Sequence, residues 1–166
     1  GGPEPADFDA FWRKAKAELA AVPMQVLEKK LVRETDISRV YDVKIAAPGK
    51  RPVSGYLTIP VAAEKRKYPA VVYYYGAGVA SANKHVRHNA ISFAVNAHGI
   101  LNGQPDEYYK KLYANELYRY YIKDMDSRDK FYFKNMYLRV VRALDYVKTL
   151  PEWDGRNLIV LGSSQG

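Results

Sequence analysis

The sequence contains no cysteine. That excludes a disulfide scaffold, a thiolate zinc site and a cysteine nucleophile. It leaves the compartment open, because many exported proteins also lack cysteine. No apolar run reaches the roughly 18–20 residues that a membrane-spanning helix needs. The longest apolar stretches, such as Ala70 to Tyr75, are strand-sized. No charged and apolar leader opens the chain, so no signal peptide is visible. The Gly1-Gly2 start is also compatible with a scar or a cut end behind a removed export signal. Acid is scarce: 18 Asp and Glu stand against 26 Lys and Arg, a net charge of +8. The surplus base is scattered over Lys29-Lys30, Lys65 to Lys67, Lys110-Lys111, Arg139 and Arg142. It forms no stripe and reads as solvated surface rather than a nucleic-acid footprint. Internal repeats and low-complexity segments are missing as well.

What is present suits one domain. The 166 residues are 48% hydrophobic, enough for a sizeable core. Asp7 to Val22 reads as an amphipathic helix through Phe8, Phe11, Trp12, Ala15, Leu19 and Val22, with Asp7 as cap and Pro23 as stop. Val26 to Val32 is a strand candidate. Val40 to Ala47 and Val53 to Pro60 alternate around the turn Pro48-Gly49-Lys50-Arg51-Pro52 and predict an antiparallel hairpin. Ala63 to Lys67 reads as a charged loop. Ala70 to Tyr75 is apolar and aromatic throughout, as a strand buried on both faces requires. Ile91 to Ala97 is another strand candidate. Pro105-Asp106-Glu107 can start a short helix. Lys130 to Leu150 predicts a helix whose stripe is Phe133, Met136, Tyr137, Val140, Val141, Leu144 and Val147. Trp153-Asp154-Gly155 reads as a turn, and Asn157 to Leu161 as a short strand. Strands alternating with helices after a hairpin indicate an α/β fold with a mainly parallel central sheet.

The most informative stretch is Gly162-Ser163-Ser164-Gln165-Gly166, a G-x-S-x-G turn directly after an apolar strand. Such a turn is sharp. Side chains at Gly162 and Gly166 are expected to collide with neighbouring backbone, and the central Ser164 is held out above the sheet. Gln165 then offers its backbone N–H to a developing oxyanion. A second N–H is expected from the loop after the third main strand. Tyr75-Gly76-Ala77-Gly78 occupies that place, with Ala77 as donor and the flanking glycines allowing close approach.

On these residues the chain resembles the acetyl xylan esterase and cephalosporin-C deacetylase family of α/β hydrolases. The resemblance runs from Asp7-Phe8-Asp9-Ala10-Phe11-Trp12 through the hairpin ending at Pro60, Tyr74 to Gly78 and the Phe131 to Leu150 helix. It ends at Gly162-Ser163-Ser164-Gln165-Gly166, where Gln after the nucleophile is the most specific feature. It implies deacetylation of an acetylated sugar or oligosaccharide by a Ser-His-Asp triad, without metal or other cofactor. Two departures stand out. The family's Asp-x-Arg-Gly-Gln-Gly stretch is replaced by Asn96-Ala97-His98-Gly99-Ile100-Leu101, and the oxyanion-loop tyrosine is Ala77 here. In α/β hydrolases the order is nucleophile, acid, histidine. The acid and histidine are therefore expected beyond residue 166. On this reading the chain is one incomplete domain: a helix in 1–25, antiparallel strands in 26–60, and an α/β part in 70–166 ending at the elbow.

Other chemistry-bearing residues are weaker candidates. His85 and His88 have helical spacing but no third ligand, so a metal site is not expected. His98 and Tyr75, with Gly76 and Gly78, are candidate pocket-lining residues. Tyr108, Tyr109, Tyr113, Tyr118, Tyr120, Tyr121 and Tyr132 crowd among Lys110, Lys111, Arg119 and Lys123, and read as packing before a ligand platform. Asp124, Asp126 and Asp129 lack the glycine and glutamate of a calcium loop. The competing reading is a catalytically incomplete fragment or pseudo-enzyme acting as a binding or assembly module. Neither nucleic acid nor a membrane is an expected partner. The expected association is through the 157–161 strand, with a C-terminal half or with a second copy.

Overall fold

The computed structural model describes residues 5–49, 51–75, 89–96, 102–108 and 127–163. Apolar–polar alternation builds its first half. β1 (Val26–Glu34), β2 (Ser38–Ile45) and β3 (Val53–Pro60) form an antiparallel meander. β2 and β3 pair without a slip from Ser38↔Pro60 to Ile45↔Val53. Gly49, at φ +93°, supplies the left-handed turn residue between them. The expected charged loop begins with a 3-10 turn, Val61–Glu64.

β4 (Tyr68–Tyr75), β5 (Ile91–Asn96) and β6 (Trp153–Ser163) are parallel to one another. The strand order is β1-β2-β3-β5-β4-β6. The chain therefore crosses over β5's position to place β4 and returns, and β5 joins the meander antiparallel to β3. The α/β class stands. Within the described residues the antiparallel part is wider than one hairpin.

Among the described residues the two long helices are α1 (Pro5–Ala21) and α2 (Ser127–Val147). Asp7 lies inside the first turn of α1 rather than capping it. One sheet face carries Val43, Ile45, Leu57, Val72, Phe93 and Val95, packed against Ala143, Tyr146, Val147 and Leu150 at the end of α2 and just beyond it. Each fully buried Leu or Phe there contributes about 1.5–3 kcal/mol. Phe93 meets Tyr146 edge-on at 5.6 Å. Gly55 is glycine because the Phe93 ring and the Ala94 carbonyl of β5 occupy the space of a Cβ.

The expected α2 stripe shifts. Tyr137 is 45% exposed, whereas Leu138, outside the stripe, is fully buried against Ala15 and Leu19 of α1. The reason is that α2 has two neighbours, the sheet and α1, and so buries more than one stripe. Tyr137 still meets Trp12 edge-on at 4.5 Å.

Two arginines expected on the surface are also buried, Arg139 and Arg142, as is Lys134. Arg142 Nη2 donates to the carbonyls of Leu19 and Val22, 2.6 Å each. Those carbonyls lie at the C-terminal end of α1, where a helix leaves acceptors unpaired and favours positive charge. Lys134 Nζ pairs with Glu18 at 2.8 Å. Lys134 and Arg142 of α2 are thus spent on docking α1.

Trp153-Asp154-Gly155 turns within β6 rather than before it. Tyr68 pairs with Trp153 but Ala70 pairs with Leu158, so four residues bulge opposite one. Asp154 Oδ1 accepts the N–H groups of Arg156 and Asn157 at 2.8 and 2.9 Å, and Gly155 takes φ +77°. These donors hold the Asp154 carboxyl below its ordinary pKa. Among the described residues no helix is long and apolar enough to cross a membrane.

Candidate active site at the strand ends

The three parallel strands end side by side. Tyr75 closes β4 and is aligned with Asn96, the last residue of β5, and with Ser163, the last of β6. Neighbouring strands lie about 4.8 Å apart. Two sequence segments continue from adjacent positions on that edge: Gly76-Ala77-Gly78 follows Tyr75, and Ser164-Gln165-Gly166 follows Ser163. His98 follows Asn96 by two residues. In open α/β sheets this carboxyl end of parallel strands is where ligands bind.

Of the sequence-derived site residues, Tyr75 alone has a described backbone position, at the centre of this edge. Ser164, Gln165, Ala77, Gly76, Gly78 and His98 lie outside the described residues. So do His85, His88, Asp124, Asp126 and all of the tyrosine-rich segment except Tyr108 and the backbone of Tyr132.

The first glycine of the turn has a specific cause in the structure. A Cβ on Gly162 would fall within the outer end of the Tyr74 ring, which packs from the adjacent strand in register with it. The obstacle expected at Gly162 was backbone; it is the phenol of Tyr74. Sequence reasoning gave Tyr74 no role at the elbow. The available signal was its position one residue before the candidate loop, on a strand that must lie beside β6.

A polar set lies under the same strand ends on the other face. Ser54, Asn96 and Asn102 are all buried. Ser54 and Asn96 are register partners across β3 and β5, and Asn102 Nδ2 donates to Ser54 Oγ at 3.1 Å. Asn96 stands where the resemblance led us to expect the family's Asp, and it is a buried neutral residue in this chain. Alternation alone would have put Ser54, Thr58 and Ser92 in water; the sheet buries both faces of β3 and β5. Among the described residues no three His, Asp or Glu side chains cluster as metal ligands.

The described strands thus bring Tyr75, Asn96 and Ser163 to neighbouring positions at one end of the sheet. Comparisons with known proteins identify the family. The family model of acetyl xylan esterase (AXE1) matches residues 2–166. An acetyl esterase of Xylanibacter ruminicola is 35% identical over 98% of this chain, and the match covers 38% of that protein. An acetyl xylan esterase 1 crystal structure from Thermoanaerobacterium sp. superposes with TM-score 0.68 at 18% identity, covering all of this chain and 53% of that one. An acetyl xylan esterase from Paenibacillus sp. gives TM-score 0.68 at 23% identity, over 98% of this chain and 54% of that one. The two structures speak for the fold, which is α/β-hydrolase-like. The chain spans about half the length of these structures and less of the curated relative. With a family model matched along almost its whole length, this chain belongs to the acetyl xylan esterase family.

Proposed function

We propose that the protein is a serine carboxylic ester hydrolase that removes acetyl groups from carbohydrate, with Ser164 as nucleophile. The observation that carries this reading is the alignment of Tyr75 with Ser163 on adjacent parallel strands, which starts the two candidate segments from neighbouring positions. Family membership supplies the substrate class. In the proposed reaction Ser164 Oγ adds to the acetyl carbonyl carbon while a histidine takes its proton. The N–H groups of Gln165 and Ala77 hold the oxyanion. The C–O bond to the sugar breaks, and the sugar oxygen takes the proton from the histidine. Water then attacks the acetyl-serine, acetate leaves, and Ser164 regains its proton. The histidine and its orienting acid are proposed to follow residue 166, in the order usual for α/β hydrolases. Residues 1–166 are then the first part of one hydrolase domain, and a further strand covers β6 in the whole protein.

Fluorophosphonate labelling with p-nitrophenyl acetate hydrolysis tests this. The protein extended beyond residue 166 is expected to label at Ser164, and Ser164→Ala to lower turnover by roughly 10⁴-fold or more. Residues 1–166 alone are expected to turn over at background, for want of the base. An extended protein that neither labels nor hydrolyses would favour the pseudo-enzyme reading. Robust Ser164-dependent turnover by residues 1–166 would overturn the assignment of the base.

A further inference from the structure

Tyr74 joins the interior of the sheet to the start of the candidate elbow. It is half-buried and packs at the margin of the core that α2 covers, whereas its neighbour Tyr73 belongs to the other face, with Val40, Tyr56 and Ala94. Its backbone is paired on both sides, with Val95 of β5 and with Gly162 of β6. The outer end of its ring, Cε1, Cζ and Oη, fills the place of a side chain at Gly162. We infer that Tyr74 is a positioning residue for the nucleophile. It sets the backbone at Gly162, and through it the direction in which Ser164, two residues on, leaves the sheet. The inference rests on the esterase reading, and adds to it a residue outside both the G-x-S-x-G pattern and the oxyanion loop.

The need for such a support follows from the motif. Glycine has more backbone freedom than any other residue. A strained turn keeps one geometry only where its surroundings over-determine it. Gly162 has no side chain with which to anchor itself. Pairing with β4 fixes its place along the strand, and the ring bars movement toward the face that α2 covers. A ring suits this purpose because it is planar and turns about only two side-chain torsions. The base of the Tyr74 ring is held by the core, so its tip is a stop set by packing rather than by the turn itself. Reacting groups need such packed supports to stay within about 0.5 Å of a working position. The rival explanation is that Tyr74 only fills volume at the edge of the core. That explanation predicts less folded protein, with each folded molecule reacting as before.

The test uses the protein extended beyond residue 166, with p-nitrophenyl acetate as substrate. Tyr74→Ala is expected to lower kcat by roughly 10–100-fold, the order of loss that a misplacement of about 1 Å brings, and to leave KM within about threefold. Tyr74→Phe, which retains Cε1 and Cζ, is expected to stay within about threefold of the natural protein in both. Tyr74→Leu, too short to reach Gly162, is run beside Tyr74→Ala and carries the same expectation should that variant not fold. Fluorophosphonate labelling separates position from fold. A misaligned Ser164 labels more slowly but to full stoichiometry. A residue that serves only the fold lowers the fraction that labels and leaves the rate of that fraction unchanged. Full labelling at a reduced rate, restored in Tyr74→Phe, is the expected result. Three outcomes would overturn the inference and leave the esterase reading standing: natural rates in Tyr74→Ala and Tyr74→Leu, a loss that follows the unlabelled fraction, or a loss in Tyr74→Phe as large as in Tyr74→Ala. A natural protein that neither labels nor hydrolyses would sink the esterase reading, and this inference with it.

Discussion

At the scale of single residues, Gly162 shows how a motif position acquires its cause from a neighbour. The requirement for glycine was legible in the G-x-S-x-G pattern, but the reason was not, because it belongs to Tyr74 on another strand. Gly162→Ala is expected to destabilise the protein by about 1–3 kcal/mol through overpacking. The obstructing atoms are the outer end of one ring, so Tyr74→Ala should relieve most of that penalty. A double-mutant cycle by urea denaturation checks this, and additive losses would refute the contact as the cause. Tyr146 illustrates a different residue-scale effect. Burial, aided by the negative charges of Glu152 and Tyr41, pushes its phenol up to about 12. The folded pKa lies above the ordinary value of 10, so the stabilisation is complete below pH 10 and is lost as pH rises toward 12. A shift of that size corresponds to roughly 2–3 kcal/mol. Urea midpoints between pH 9 and 12 should therefore fall more steeply for the natural chain than for Tyr146→Phe.

At the scale of elements, the parts most legible in the sequence were those set by period and turn chemistry. The β2–β3 hairpin follows its alternation and Gly49, and β4 follows its continuous apolar run. What stayed hidden was what each element packs against. No period in α2 announces that Leu138 belongs to α1 rather than to water, or that Arg142 is buried. The bulge at 154–157 was half legible: Asp154 and Gly155 signalled a turn, but the strand resuming its pairing around it depends on β4. At the candidate site the segments proposed from the sequence lie outside the described residues, and the sheet supplies only the common edge from which they start. The α1–α2 junction is also testable. Arg142→Met keeps length and apolar contact but removes two charged hydrogen bonds and leaves the Leu19 and Val22 carbonyls without them. The expected loss is about 2–4 kcal/mol, with amide protection falling first in α1 and the sheet amides little changed. Uniform loss of protection across the sheet would show that α1 docking is not where Arg142 acts.

At the scale of the whole molecule, the two edges of the sheet are built differently. β1 is exposed along its length but carries Glu28, Lys29, Lys30, Arg33 and Glu34, and two irregularities interrupt its pairing. Glu28 binds Lys44 at 2.6 Å, so part of that charge is fixed along the outer edge. Charges and bulges of this kind discourage a further strand. β6 has neither protection from Leu158 to Ser163. Its pairing with β4 is unbroken there, no charged residue interrupts it, and Ile159, Val160 and Leu161 are 53, 43 and 47% exposed. Since Ile159 and Leu161 point to one face and Val160 to the other, both surfaces of the strand are apolar, and among the described residues no strand pairs with its outer edge. A strand added to β6 would satisfy its backbone and let covering elements bury all three side chains. The isolated 166-residue chain is therefore expected to associate through this edge, giving a mass above 18.9 kDa by light scattering. Ile159→Lys with Leu161→Lys should return it toward monomer, whereas Leu27→Lys and Leu31→Lys on β1 should not. A natural chain that stays monomeric at concentrations well above micromolar, or association abolished equally by the β1 pair, would show that β6 is not the edge that recruits a partner.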